Sequence, residues 1–331
     1  MDRRSALGAL LAAAASPATL HAQASTDTVG SLADAVRQAG QINPGRSAAA
    51  LELEGKSAAA ERHAHAAEQV LFVGSAVKTF MLAQYLLDVE SGRLSLDTPC
   101  EIGPHIWSPG SKVFQNLQGT VPAGSVLEAM IAHSDNTATD SVLQAVGADR
   151  VRALLREVGL VNTRIPDSTR RLFSYLAGAP AGTDLGWDGM KEMMQGTLPF
   201  QPRPAINEVQ TMVSTATEMI QWYRKVLSRG LFRTSEMLRE FKRISAMADA
   251  ISASAPDDIL GYGKGGSIEW DGFNCFALAG QLVLGKERAT FCFVVNWNGG
   301  TPTVAPMFQN FVQRARHCLA LAQKRSEQNL V

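Results

Sequence analysis

Apolar and polar positions follow three different rhythms along this chain. Over residues 31–39 apolar positions recur at helical spacing, which predicts a short amphipathic helix. Two strand-like segments follow, 48–53 and 57–62, joined at Glu54-Gly55-Lys56. From Ser75 to about Glu90 the pattern is apolar nearly all round, with Val77, Phe80, Met81, Leu82, Tyr85, Leu86, Leu87 and Val89. A helix apolar on every side is a buried one, and burial fixes its first residues rigidly. Residues 125–160 predict helices broken at Ser134-Asp135-Asn136 and at Gly147. Thr215-Ala216-Thr217-Glu218 has the capping-box pattern and opens a helix to about Leu227; another runs over 235–247. The rhythm then changes to strands over 262–270, 273–284 and 290–297, with a tight hairpin through Gly285-Lys286-Glu287. A helix over 307–324 closes the chain.

Strands thus lie near both ends, each set with a terminal helix, and the middle is helical. That order predicts an α+β fold: an antiparallel sheet flanked by the N- and C-terminal helices, plus an all-helical lobe. The sheet lobe would take about 25–75 and 256–331, and the helical lobe about 76–255.

Composition narrows the function. The chain has 331 residues, with 31 Lys+Arg against 31 Asp+Glu. Zero net charge without basic blocks gives no support for nucleic-acid binding. No run of eighteen apolar residues occurs after the first segment, so no membrane span is expected in the mature chain. The first 24 residues read as a signal peptide. Arg3-Arg4 precede a short apolar run over 6–15, and Ala22-Gln23-Ala24 is a small-x-small cleavage site. The mature chain would start at Ser25 and lie in the periplasm or be secreted. The paired arginines fit twin-arginine export, and a general secretory signal fits equally. The four cysteines, Cys100, Cys275, Cys292 and Cys318, match no zinc spacing. Cys275 and Cys292 fall on adjacent strands without standing opposite each other, so buried free thiols are expected. His63 and His65 share one side of a strand; a metal role would need further ligands.

The chemistry lies in three short motifs. Ser75-Ala76-Val77-Lys78 sets a hydroxyl and an amine one helical turn apart. A neutral lysine there can take the hydroxyl proton and turn a weak nucleophile into a usable one. Ser134-Asp135-Asn136 adds a second hydroxyl and an amide, and Lys264-Gly265-Gly266 adds a cation on a glycine-rich strand. Singly, each is weak: a helix start, an N-cap, a turn. In this order they are the parts of an acyl-transfer site.

The combination resembles the penicillin-recognising serine enzymes, most closely the class A β-lactamases, over about residues 27 to 325. The resemblance extends to the run from Glu90 to Asp97 and to Leu127–His133 leading into Ser134. It implies Ser75 as nucleophile, Lys78 as its activator, and Ser134 as proton donor to the departing nitrogen. Asn136 would hold the substrate's amide side chain, and Lys264 would face its carboxylate. The oxyanion hole would be the backbone N–H groups of Ser75 and Ser267, beside Gly266, on the order of three kcal/mol each. No cofactor or metal is called for. The substrate would be a small-molecule β-lactam or a related acyl compound.

Three departures from the family pattern matter. The residue before the nucleophile is Gly74, so a disulfide found there in some relatives is absent. Gly265 replaces the usual hydroxyl residue after the third-motif lysine. The stretch from Thr163 to Phe173 aligns with the loop that carries the deacylating glutamate, but Thr169 stands at the glutamate position and Phe173 at its companion asparagine. Asp167 is two residues early, and about twenty-five extra residues follow by comparison with the usual family loop, with Asp184, Asp188, Glu192 and Glu208 as possible substitutes. The leading reading is a β-lactamase. The alternatives are a penicillin-binding-like peptidase, esterase or transacylase, and a non-enzymatic sensor or binding module.

Overall fold

The computed structural model describes residues 31–55 and 60–328. The signal segment and the hairpin turn at Lys56 lie outside the described residues. Ser31 caps the first helix, α1 (Leu32–Ala39), accepting from the Asp34 N–H. Strand β1 (Arg46–Glu54) follows, then β2 (Glu61–His65). The second strand begins later than the sequence pattern suggests. Its first residue, Glu61, pairs with Leu53.

The main sheet is completed by β7 (Gly261–Trp270), β8 (Phe273–Leu284) and β9 (Glu287–Asn298), in the order β2-β1-β9-β8-β7, all antiparallel. Helices α1 and α11 (Val304–Gln328) pack on each other and on the sheet. The last helix starts a turn earlier than its apolar pattern. Pro306 falls in its first turn, where a missing N–H leaves no bond unmade. Helix α8 (Ala216–Leu227) packs on β1, β8 and β9. Thr215 caps α8 as expected, but the Glu218 carboxylate does not return to it. It accepts from Asn162 N–H and the Thr163 hydroxyl instead, tying two segments together. The class is α+β, as the pattern of elements implies.

The helical part centres on α2 (Lys78–Glu90), buried along almost its whole length. Around it stand α3 (Ala123–Ala132), α4 (Asn136–Val146), α5 (Ala148–Glu157) and α9 (Ser235–Ser245). Phe80 on α2 meets Trp222 on α8 edge to face at 4.7 Å, and the Trp222 indole donates to Thr79 Oγ1 (3.0 Å). An apolar pair with its one polar atom satisfied fixes α2 against the sheet-side helix.

The predicted helix at Ser75 begins differently. A 3-10 turn, Gly74–Val77, carries the serine, and the α-helix starts at Lys78. The turn is anchored from the sheet. Strand β3 (Leu71–Phe72) pairs with β6 (Val213–Ser214), and Asn296 on β9 accepts from Phe72 N–H and donates to Phe72 C=O, both at 2.8 Å. The Cys275 thiol donates to the same carbonyl. All four cysteines are free, as expected.

Strand β7 lies directly on this turn. Gly74 has φ +52°, and a Cβ there would stand 2.9 Å from Ser267 N. A Cβ on Gly266 would stand 2.9 Å from Ser75 N and 2.7 Å from Ala76 N, and closer still to Val73 O. Only two bare backbones fit together this closely. Gly266→Ala is therefore expected to push β7 off the turn. It should lower stability by about 1–3 kcal/mol, as overpacking does, and strip Ser75 of its reactivity. Thermal unfolding together with covalent labelling of Ser75 checks this; a normally stable and normally labelled variant would contradict it.

Candidate active site

Ser75, Ser134, Asn136 and Ser267 line one cavity of about 430 Å³, together with Thr169, Leu172 and Phe173. Of the seven site residues expected from sequence, these four reach its wall. Gly266 forms the backbone contact just described. Lys78 and Lys264 lie behind the wall, each at most 1 % exposed.

Lys78 Nζ donates to Ser134 C=O (2.6 Å), Ser134 Oγ (3.3 Å) and Asn136 Oδ1 (2.8 Å). Among the described residues no hydrogen bond joins it to Ser75; such bonds often close only with substrate bound. Ser134 has φ +59°, a conformation rare for a non-glycine residue. The strain turns its carbonyl onto Lys78, and strain of this kind gathers at functional sites. Burial drives the Lys78 ammonium well below the ordinary lysine range; Lys264 and Lys112 add to this, and Asp135 and Asp140 oppose it. A buried lysine in that state can accept the Ser75 proton.

Lys264 donates to Gly265 C=O (2.9 Å). Burial pulls its pKa to about 8, Asp249 opposes, and Lys112 adds to the lowering. The Asn136 amide is engaged at both ends, through Lys78 and through Pro109 C=O (2.6 Å). It is part of the scaffold before any substrate arrives. Asp135 caps α4 at Ala138 and accepts from Val113 and Phe114 N–H groups. That holds the loop around Lys112 at the cavity rim, where Lys112 supplies an exposed cation.

The altered loop resolves the sequence-proposed acids. Thr169 opens α6 (Thr169–Leu176), lines the cavity and is buried. Its N–H and that of Arg170 donate to Asp140 (2.5 and 2.9 Å). Burial raises the Asp140 carboxyl to about 6, against the pull of these donors. Phe173 packs on Trp270 (6.2 Å). Asp167 points away, paired with Arg152 (2.6 Å) and Gln210 (2.6 Å), which hold its pKa down against burial. Asp184 is paired with Arg170 (2.7 Å). Asp188 pairs with Lys191 (2.6 Å) and stands exposed beside Glu192 on α7 (Gly186–Gln195), while Glu208 pairs with Arg164. None of these five acids lines the cavity. His63 meets Glu61 (2.8 Å) on the strand surface.

Gly265 has its own structural reason. A Cβ there would lie 2.5 Å from the Ala250 Cβ on α10 (Asp249–Ser252), so this helix occupies the space that a hydroxyl side chain needs.

Several contributors escaped the motifs. Asn296 was signalled only as a polar residue inside an apolar strand, a position where a buried amide must have partners. Lys112 and Glu269, a further wall residue, left no such signal.

A serine beside a buried lysine, in a cleft between antiparallel sheet and helices, with a second hydroxyl on that lysine, defines a serine hydrolase of the acyl-transfer type. A family model described as the beta-lactamase enzyme family matches residues 32–274, and the chain belongs to that family. It is a β-lactamase-like serine hydrolase. Among solved structures it is similar to PBP-A, at 19 % identity over 88 % of this chain and 96 % of that one, TM-score 0.64. It is also similar to the β-lactamase of Sphaerobacter thermophilus, at 15 % identity over 90 % and 97 %, TM-score 0.67. A point mutant of PBP-A, solved as its acyl-enzyme complex with penicillin G, is 18 % identical over 88 % and 96 %, TM-score 0.65. At these identities the likeness is one of fold. No curated protein matches the chain.

The two buried lysines give a pH dependence. kcat/KM for an anionic acyl substrate is expected to rise with pH as Lys78 loses its proton. It should fall again above about pH 8 as Lys264 becomes neutral and stops attracting the anion. Lys264→Arg keeps its charge and should move the alkaline limb well upward. A pH–rate profile with the same alkaline limb in both proteins would assign that limb to another group.

Proposed function

We propose that this protein is an exported hydrolase of β-lactams that forms an acyl-enzyme on Ser75. The observation that carries the reading is the buried Lys78 ammonium, held against Ser134 and Asn136 one turn from a serine on the cavity wall. Lys78, once neutral, takes the Ser75 proton as Oγ bonds to the lactam carbonyl carbon. The N–H groups of Ser75 and Ser267 receive the developing oxyanion, since the two backbones lie side by side at Gly74 and Gly266. The lactam C–N bond breaks, and Ser134 passes a proton to the nitrogen. Lys264 and Lys112 place positive charge beside Ser134 for the substrate carboxylate. Water then cleaves the ester and returns Ser75.

The release step is the weak one. With Thr169 in place of a carboxylate and no substitute acid on the helical side of the cavity, the loss of a general base costs about a hundredfold to ten-thousandfold. That supports a second reading: a penicillin-binding-like enzyme that acylates well and releases slowly. Intact-protein mass after mixing with penicillin, followed in time, separates the two. The expected course is a fast adduct and a burst, then weak turnover, with no adduct on Ser75→Ala and acylation slowed by several orders of magnitude on Lys78→Ala. Rapid turnover without a burst would defeat the slow-release claim. Labelling of Ser75→Ala at full rate would move the nucleophile elsewhere.

Export rests on the charged start, the short apolar run and Ala22-Gln23-Ala24. Protein from fractionated cells is expected to begin near Ser25 and to lie outside the cytoplasm. N-terminal sequencing that finds Met1 on cytoplasmic material would refute this. Among the described residues no helix is long and apolar enough to cross a membrane.

A further inference from the structure

The cavity that holds Ser75 does not end at the oxyanion position. It continues past Ser267 toward the start of α11, where its wall becomes Phe276, Trp297, Val304 and Phe308. Phe276 is the centre of this wall, with ring centroids 5.2 Å from Trp297 and 5.3 Å from Phe308. Phe308 is 37 % exposed, a large apolar ring at the mouth of the chamber. Within this aromatic surround stands one carboxylate, Glu269. Its Oε1 accepts from the Thr301 hydroxyl (2.5 Å), while its Oε2 is buried and has no hydrogen-bond partner among the described residues. Nor does any Lys or Arg of the described residues form an ion pair with it. Lys112, the lysine of the cavity wall, is paired with Asp249. A buried carboxylate oxygen without a donor is costly, and such a group in a cleft is a site waiting for one.

Strand geometry decides what Glu269 can do. Side chains alternate faces along β7. Gly266 faces the nucleophile turn, and Gly265 faces the opposite way, toward Ala250. Glu269 shares the face of Gly265 and Ser267, and its bond to Thr301 places it on the α11 side. It is therefore turned away from the acyl carbon and is a binding group, not the base that activates water.

We propose that this α11-side chamber binds the acyl substituent of the substrate, and that it selects a substituent combining an aromatic ring with an ammonium group. The ring lies against Phe276, Trp297 and Phe308, and the ammonium donates to Glu269. This proposal takes its substrate from the acyl-enzyme reading above, but the pocket itself can be tested without acylation.

The first measurement is calorimetric binding of 2-phenylethylamine and of phenylacetate to the full chain. The amine is expected to bind at least about tenfold more tightly than the acid, the scale of one charge-assisted hydrogen bond. Glu269→Gln, which keeps the shape, should abolish that preference. Phe308→Ala, at a partly exposed position, should weaken both probes. Equal binding of the two probes, no binding of the amine, or amine binding unchanged in Glu269→Gln would each overturn the proposal. The second measurement is the acylation rate with three penicillins that differ at one carbon: ampicillin carries an ammonium there, benzylpenicillin a hydrogen and carbenicillin a carboxylate. The expected order is ampicillin, benzylpenicillin, carbenicillin, collapsing toward equality in Glu269→Gln. An unchanged order in that variant would overturn the assignment to Glu269. Absence of any adduct alongside normal amine binding would defeat the acyl-enzyme reading and leave the pocket standing.

Discussion

Two lysines buried on one side of a cleft set the terms for everything around them. Lys78 and Lys264 are both out of water, and the Lys264 charge adds to burial in disfavouring that of Lys78. The fold meets this with acceptors. Ser134 offers its carbonyl and hydroxyl to Lys78 and Asn136 its amide oxygen, while Gly265 offers a carbonyl to Lys264. Ser134 holds a left-handed backbone to do so, and Asn136 is fixed at its other end by Pro109. The motif residues are thus a solvation shell for a lysine before they are a substrate site. Burial meanwhile drives the Lys78 ammonium well below the ordinary lysine range, toward the neutral form that a proton acceptor needs.

The second constraint is positional. Ser75 is delivered to this shell by the sheet as much as by α2. Asn296 grips the Phe72 backbone at both its N–H and C=O, three residues before Ser75, and β7 lies backbone to backbone on the turn. A central strand of a five-stranded sheet is among the stiffest elements a fold offers, so the serine is set by the rigid part of the molecule. The helical part contributes the lysine shell. The site exists only where the two meet, which is why it sits between them.

That division explains what the sequence discloses. Apolar periodicity gives β8 its limits and α8 its end, because one rhythm dominates each. It misplaces β2, whose start depends on pairing with β1 rather than on its own residues. It reads Ser75 as a helix start, although two further residues, Ala76 and Val77, follow before the α-helix begins at Lys78. The three motifs locate Ser75, Lys78, Ser134 and Lys264 because their chemistry needs fixed spacing within short segments. Contacts made across the fold carry no local spacing. The grip of Asn296, the rim loop held by Asp135, the Ala250 contact behind Gly265 and the unpaired oxygen of Glu269 become visible only in three dimensions. The acids proposed for the altered loop lie off the cavity wall for a related reason. Four of the five have a nearer partner: Arg152 for Asp167, Arg170 for Asp184, Lys191 for Asp188 and Arg164 for Glu208.

The altered loop is coupled to a residue four positions beyond Asn136. Asp140 accepts from the N–H groups of both Thr169 and Arg170, and so caps α6 from a neighbouring helix. An asparagine there could accept only with its single oxygen, whereas a carboxylate serves both donors. Its burial already raises it to about 6. A glutamate side chain at 169 would place a second carboxyl beside the first. Two carboxyls in one buried site share protons, and at least one is driven further upward. A base that must be ionised to activate water would then be suppressed by the group that holds its own backbone. Thr169 and Asp140 are therefore one arrangement rather than two departures. The carboxylate on this side of the cavity fixes the loop, and the hydroxyl beside it avoids a like charge.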